Sequence, residues 1–356
     1  MRIVVAMSGG VDSSVAASLL AEAGHDVIGL SMQLYDQRDS PDAFGSCCSL
    51  DDLQDAKRVA RAIGIPHYLM NFEEKFQETV VRNFVDEYAS GRTPIPCVHC
   101  NADLKFTALV DRAAAFDAAG VATGHNARVE FDEARRQYRL LRGVDREKDQ
   151  SYFLFSLTQD QLAHAVFPVG HLTKPQVRAH AARLGLSVAD KPDSHEICFV
   201  PDGDAAGFVE RHATDAPQAG AIVDSSGRVL GRHAGLHRYT VGQRKGLGLA
   251  TGVPLYVLKL EPQSAGVVVG PREELGRTDL SARDVNWIAG APPAAPRRVT
   301  ARIRHRHRDA PATVTADGAH AHLEFDQPQV AIAPGQAVVF YDDEEVVGGG
   351  WIDQCP

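Results

Sequence analysis

The 356-residue chain has no apolar run near the ~20 residues a membrane-spanning helix needs, so no membrane association is expected. Its opening Met1-Arg2 leads straight into a short strand-like run, too brief for the core of a secretory signal, and a cytoplasmic location is expected. Six cysteines are too few for a disulfide scaffold at this length, which leaves catalysis, metal binding or plain burial for each. Cys97 and Cys100 form one Cys-x-x-Cys and there is no second, so a zinc or iron–sulfur site would have half its ligand set, with Cys198 as a third donor. No internal repeat or long low-complexity tract is present. Nor is there an excess of positive charge: the formal net charge is −9, which taken as a sum argues against an RNA partner, although local charge matters more than the sum. What remains, 44% hydrophobic and 23% charged residues, is the composition of a soluble globular protein, and the length calls for two or three domains.

The most informative segment is Ser8-Gly9-Gly10-Val11-Asp12-Ser13-Ser14, placed between the apolar run 3–7 and the helical stretch 15–23. A short β-branched run reads as a buried strand, and adjacent glycines permit a tight turn that lets backbone N–H groups approach an anion. The following helix points its positive end at the same place, with Ser8, Ser13 and Ser14 as further donors. Neither the Gly-Lys-Ser/Thr ending of a Walker loop nor Gly-x-Gly-x-x-Gly is found here. The segment resembles the PP-loop signature, whose superfamily cleaves ATP between its α and β phosphates; an unliganded strand-to-helix turn is the plain alternative.

The first half alternates strands and helices. Strands are predicted over 27–34, 67–72 and 121–123, and helices over 51–63, capped by Ser49, over 73–90 and over 103–119. This alternation implies right-handed crossovers, hence an α/β fold with a doubly wound parallel sheet, whose ligands sit beyond the carboxyl ends of the strands. That places Ser8 to Ser14, Met32 and Gly124-His125 at one edge. The stretch 173–186 reads as the last clear helix, and from about Gly203 onward the composition reads as all-β. Strands predicted at 299–304, 312–315, 322–325 and 337–341 suggest a small barrel. Two basic clusters, 232–245 and Arg297 to Arg308, are either nucleic-acid contacts or solvated faces.

Residues 91–101, with Pro94 and Pro96, read as an extended loop presenting Cys97 and Cys100, and Cys198 reads as lying at a strand end. Accessible thiolates there would suit persulfide or disulfide chemistry. Cys47, Cys48 and Cys355 read as buried small hydrophobes.

At this point the chain resembles the tRNA 2-thiouridylase family along nearly its whole length. The matching blocks, in order, are Met7 to Ser14, Cys100-Asn101 with Lys105-Phe106, Ala122 to His125, Lys148 to Leu154, Phe167 to Gly170, Ile197 to Phe199, Tyr239 to Gly248 and Ala333 to Gln336. The resemblance implies a PP-loop (adenine nucleotide alpha-hydrolase-like) domain over 1–203, a small central β domain over 204–278 and a C-terminal β-barrel over 279–356. It implies ATP-dependent thiolation of the wobble uridine of tRNA, with Mg²⁺ and a sulfur-relay protein or cysteine desulfurase as donor. Ala6, Met7, Ser8, Gly9, Gly10, Val11, Asp12, Ser13, Met32 and Gly124 would hold ATP. Cys100 would be the nucleophile and Cys198 the persulfide carrier, with no metal ligands. Ile95, Pro96, Cys97, His125, Lys148, Asp149, Gln150, Arg304, His305 and Gln336 would meet tRNA.

Two positions depart from the family pattern. Cys97 stands where some members carry Asp, and His305 stands where an aromatic Tyr is common, which keeps a ring for stacking but makes its charge depend on pH. A PP-loop synthetase amidating a small metabolite and a non-catalytic tRNA-binding protein are the competing classes. The first leaves the basic β region and the cysteines without a role; the second leaves the phosphate loop without one.

Overall fold

The computed structural model describes residues 1–35, 50–193, 197–215 and 217–354. The predicted Ser49 cap, Cys47, Cys48 and Cys355 lie outside the described residues. Strands β1 (Arg2–Ala6), β2 (Asp26–Gln33), β3 (His67–Asn71), β4 (Val121–Ala122) and β7 (Ala165–Val166) form a parallel sheet in the order β3-β2-β1-β4-β7. The period of two along each strand sends alternate side chains to opposite faces. Val4, Ala6, Ile28, Leu30 and Met32 pack with Phe76, Phe84, Leu104 and Phe199 on one face. Ile3, Val5, Met7 and Val27 pack with helices α1 (Val11–Glu22), α2 (Leu50–Ile63) and Lys174–Arg183 on the other. The chain runs outward from β1 to β3 and returns to β4 on β1's other side, so the order reverses between β1 and β4, where such sheets bind ligands.

Between β4 and β7 the chain forms a hairpin, β5 (Ala127–Asp132) with β6 (Gln137–Arg142), that no sequence pattern announces. Its charged residues disguise it, and they have partners far along the chain: Arg139 pairs with Glu345 at 2.8 Å, and Arg128 pairs with Glu344.

After the helix Ala205–His212, a correction to the all-β reading from Gly203, strands β8 (Gly220–Asp224), β9 (Val229–His233), β10 (Tyr256–Glu261) and β11 (Gly266–Gly270) make a sheet in the order β10-β11-β8-β9. Asp204 caps that helix by accepting from Gly207 N, a signal outweighed in the sequence by the glycines around it. The last region holds β12 (Gly276–Trp287), β13 (Arg297–Arg302), β14 (Ala310–Asp317), β15 (His320–Val330), β16 (Ala337–Asp342) and β17 (Glu345–Gln354). They run β12-β15-β14-β13-β16-β17, and pairing of β12 with β17 closes a barrel. β6 adds to the outside of β17, which joins the N-terminal region to the barrel by backbone pairing. Among the described residues no helix is long and apolar enough to cross a membrane.

Candidate functional site

The loop after β1 is built for close approach. Gly9 has φ +74°, and a Cβ there would lie 2.1 Å from the Asp52 carbonyl oxygen at the start of α2, so only glycine fits. Gly10 is the N-cap of α1 and offers no side-chain cap, which leaves the first-turn amides without the acceptor a Ser or Asp would supply. α1 begins at Val11, earlier than the predicted 15, so Ser13 and Ser14 lie in its first turn. Both hydroxyls donate to Gly10 O, at 3.1 and 2.8 Å, and Ser13 Oγ also accepts from Ser8 N at 3.2 Å. Ser14 is fully buried, which removes it as an anion donor; Ser8 is exposed. From across the switch point Gly124 closes the cradle: a Cβ there would sit 2.5 Å from Ser13 N. Met32 is buried at the end of β2.

A set of charges that sequence patterns do not single out surrounds this cradle. Lys174 Nζ lies 2.8 Å from Asp12 and 2.8 Å from Asp193, and Asp193 also takes Lys148 at 2.7 Å and Arg178 at 3.4 Å. Lys191 reaches the Gly9 carbonyl at 3.1 Å and Asp52 and Asp55 at 2.6 Å each. Burial pushes the Asp12 carboxyl up and Lys174 only partly offsets it. Partial burial also pushes Asp193 up, but the hydrogen bonds from Lys148 and Lys174 outweigh it and hold that carboxyl at about 2. Lys174 carries one sequence signal: a cation in the first turn of a helix opposes the dipole, so it needs an anionic partner.

The cysteines approach the same core from two directions. Pro96 does not keep its loop extended as predicted; it starts the helix Pro96–His99, since its fixed φ and missing N–H suit a first helical position. That helix continues into the wide turns Cys100–Ala108, so Cys100 is helical. Cys198 lies in a turn rather than at a strand end, with Val200 N bonded to Ile197 O. It is fixed by its neighbour, Phe199, whose ring packs edge-on to Phe76 at 5.4 Å and Phe84 at 5.1 Å. Tyr35, just past β2, donates to the Cys198 carbonyl at 3.1 Å, which puts this turn at the carboxyl edge of the sheet. Cys100 and Cys198 are both half-buried against the same hydrophobic cluster, and Cys97 is exposed.

Of the other candidates, His125 is buried, its Nδ1 2.7 Å from Thr123 Oγ1. Desolvation, with Lys105 adding, holds its imidazole well below the usual range and therefore neutral. Gln150 is tied to the same loop, its side-chain oxygen accepting from Asn126 N at 2.9 Å. Ile95 and Pro96 are buried. Gln336 donates to the Thr93 carbonyl at 3.0 Å. Arg304 is exposed and donates to Val330 O at 3.1 Å; His305, also at the surface, rests its ring 4.5 Å from Phe153. Asp149 is different. Its carboxylate is wholly buried, accepts from Gly143 N, Ser151 N and Ser151 Oγ, and faces Arg142 at 3.5 Å and Arg302 at 3.4 Å. That side chain cannot reach an RNA surface.

Uncapped helix amides, a glycine cradle and two flanking lysines fit a polyphosphate. Among the described residues no grouping of three or more carboxylate, imidazole or thiol groups is placed to hold a metal ion.

A doubly wound sheet with a phosphate-type loop at its switch point, the Cys198 turn at its carboxyl edge and a β-barrel joined to it is the layout of a nucleotide-binding protein with an appended β module. Family models described as a tRNA methyl transferase HUP domain, PRC-barrel domain and Aminomethyltransferase beta-barrel domain match residues 1–202, 206–271 and 277–352. Relatives named tRNA-specific 2-thiouridylase include one from Solibacter usitatus, 52% identical over 99% of each chain; one from Acidobacterium capsulatum, 52% over 98% of each; and one from Geobacter metallireducens, 53% over 99% of this chain and 96% of the relative. The chain belongs to the tRNA-specific 2-thiouridylase family.

Proposed function

We propose that this chain is a tRNA-uridine 2-sulfurtransferase that thiolates the wobble uridine at the expense of ATP. The domain descriptions speak of methyl transfer and the relatives of thiolation. The relatives' names weigh more, because each spans nearly the whole chain at half identity. The observations that support the reading are the Gly9-Gly10 cradle beyond β1, the Cys198 turn held by Tyr35 just past β2, and the packing of Cys100 and Cys198 against one hydrophobic cluster.

In this reading Ala6, Met7, Ser8, Gly9, Gly10, Val11, Asp12, Ser13, Met32 and Gly124 surround the nucleotide, and Lys174 and Lys191 offset its phosphate charge. Mg²⁺ would be held chiefly by the phosphates, since the nearby carboxylates Asp12, Asp52 and Asp193 already serve lysines. A uridine 2-carbonyl is a poor electrophile. Attack of its oxygen on the α-phosphorus releases pyrophosphate and leaves AMP as a leaving group on C2. The terminal sulfur of a persulfide on Cys198, delivered by a sulfur-relay protein or cysteine desulfurase, then attacks C2 and expels AMP with its bonding electrons. Attack of the Cys100 thiolate on Cys198 Sγ breaks the sulfur–sulfur bond, frees the 2-thiouridine and leaves a Cys100–Cys198 disulfide for an external dithiol to reduce. His125, Lys148, Gln150, Arg304 and His305, with the main chain at Ile95, Pro96, Cys97 and Asp149, would meet the RNA. The regions 1–203, 204–278 and 279–356 would act as ATP-binding, connecting and tRNA-contacting domains.

The test is sulfur incorporation into a tRNA transcript supplied with ATP, Mg²⁺ and a competent persulfide source, read by mass spectrometry of the wobble nucleoside. Absence of 2-thiouridine with the native chain would return the synthetase reading. Two further results are expected. Cys97→Ser retains thiolation within several-fold, as an exposed accessory thiol should; a wholly inactive variant overturns that role. Arg304→Ala weakens tRNA binding and lowers the slope of log affinity against log salt by about one, the loss of a single phosphate contact; an unchanged slope makes Arg304 a solvated face.

A further inference from the structure

The segment 91–100 that leads to Cys100 is gripped by the other two β regions. Gly91, at φ +68°, leaves room for Leu236 and Pro262, each 3.4 Å from where its Cβ would be. On the barrel side, Thr93 N donates to Pro334 O at 2.8 Å, and Gln336 Nε2 donates to the carbonyls of Thr93 at 3.0 Å and Pro94 at 3.5 Å. Gly335 makes this approach possible, since with φ +87° a Cβ there would fall 2.8 Å from Thr93 N. One helical turn later the imidazole of His99 lies flat on the indole of Trp351 in β17, ring centroids 4.9 Å apart and planes within 3°. His99 Nδ1 also faces Asp103 at 3.4 Å. Cys100 is the next residue, and its N–H closes the turn onto Cys97 O and Pro96 O.

We infer that the barrel is a positioning element for Cys100: the His99–Trp351 stack and the Pro334–Gln336 grip together set where the thiol stands relative to the phosphate-type loop. The inference rests on the reading of Cys100 as the sulfur-transfer thiol and adds a task for the barrel besides holding RNA. Two anchors flank a short rigid segment, so neither the loop nor the helix can shift without the barrel. His99 and Trp351 are positioning residues acting through Cys100, and Gln336 spends its amide N–H on the loop. A thiol displaced by an ångström loses its attack geometry, which costs on the order of 100-fold in rate.

His99→Ala and His99→Phe separate stacking from imidazole chemistry. Expected is a fall of about 10- to 100-fold in kcat for thiolation with His99→Ala, tRNA affinity within twofold of native, and recovery of most of the loss with His99→Phe, which keeps a ring on Trp351. From the barrel side, Trp351→Leu and Trp351→Phe should follow the same order, which guards against a fold defect peculiar to one position. A readout free of turnover accompanies them: the rate at which iodoacetamide alkylates Cys100, followed by peptide mass, should change in His99→Ala and revert in His99→Phe. Should the native chain fail to thiolate while alkylation still tracks the stack, the functional reading falls and the positioning stands. Unchanged kcat and alkylation in His99→Ala, or a His99→Phe as inactive as His99→Ala, overturns the inference.

Discussion

Replacing Cys198 by serine is expected to abolish sulfur incorporation into tRNA, a loss of more than about 10³-fold, while nucleotide and tRNA affinities stay near native. The asymmetry follows from where the residue sits. Its carbonyl is held by Tyr35 and its neighbour Phe199 by three aromatic rings, at 5.4, 5.1 and 5.2 Å, so the turn keeps its shape when one sulfur becomes oxygen. The Gly9-Gly10 cradle and the Arg304 surface touch other elements and are undisturbed. A serine hydroxyl cannot carry a persulfide, so nothing replaces the lost group. Cys100→Ser should differ in kind: with the resolving thiol gone, the adduct between Cys198 and the RNA is expected to accumulate and to be released by added dithiol. Measurable thiolation by Cys198→Ser from the same persulfide source would show that sulfur reaches C2 without this residue and would remove it from the pathway.

The parts of the site that lie along one stretch of chain were legible in the sequence, and those assembled across domains were not. A β-branched run ended by two glycines reports its own turn, because strand burial and positive φ are local requirements. The reversal point between β1 and β4 follows from the strand–helix alternation, and it brings Gly124 against Ser13. Lys174 showed only as a cation in a first helical turn, because its partner Asp12 lies 162 residues away, and the partners of Lys191 are as remote, at 139 and 136 residues; Asp193 gathers Lys148, Lys174 and Arg178 across spacings that match no motif. The hairpin β5–β6 was hidden because its arginines read as surface charge, whereas Glu344 and Glu345 of the barrel complete them. The prolines before Cys100 were misread for a simpler reason: the same ring that keeps Pro94 extended also suits Pro96 to begin a helix.

Asp149→Asn tests the other place where surface and interior were confused. The family resemblance sets Lys148, Asp149 and Gln150 against tRNA, yet the middle carboxylate is buried between two guanidiniums, one of which, Arg142, is itself 1% exposed with its charge 3.4 Å over the Tyr341 ring. Asp309 shares both arginines from the barrel side. Asparagine preserves the shape and can still accept from Gly143 N and Ser151 N, so the change isolates the charge. With it gone, Arg142 and Arg302 are left with one carboxylate between them, that of the exposed Asp309, while Arg142 itself stays buried. The expected cost is about 3 kcal/mol, at the low end for breaking a buried pair because Asp309 remains. It should appear as a lower melting temperature together with weaker tRNA binding, since Arg302 leads directly into Arg304 and His305. The salt slope should hold, as no phosphate contact is removed. A carboxylate facing RNA would behave the opposite way, its neutralisation strengthening tRNA binding and leaving the melting temperature alone, so the two measurements together decide between hub and contact.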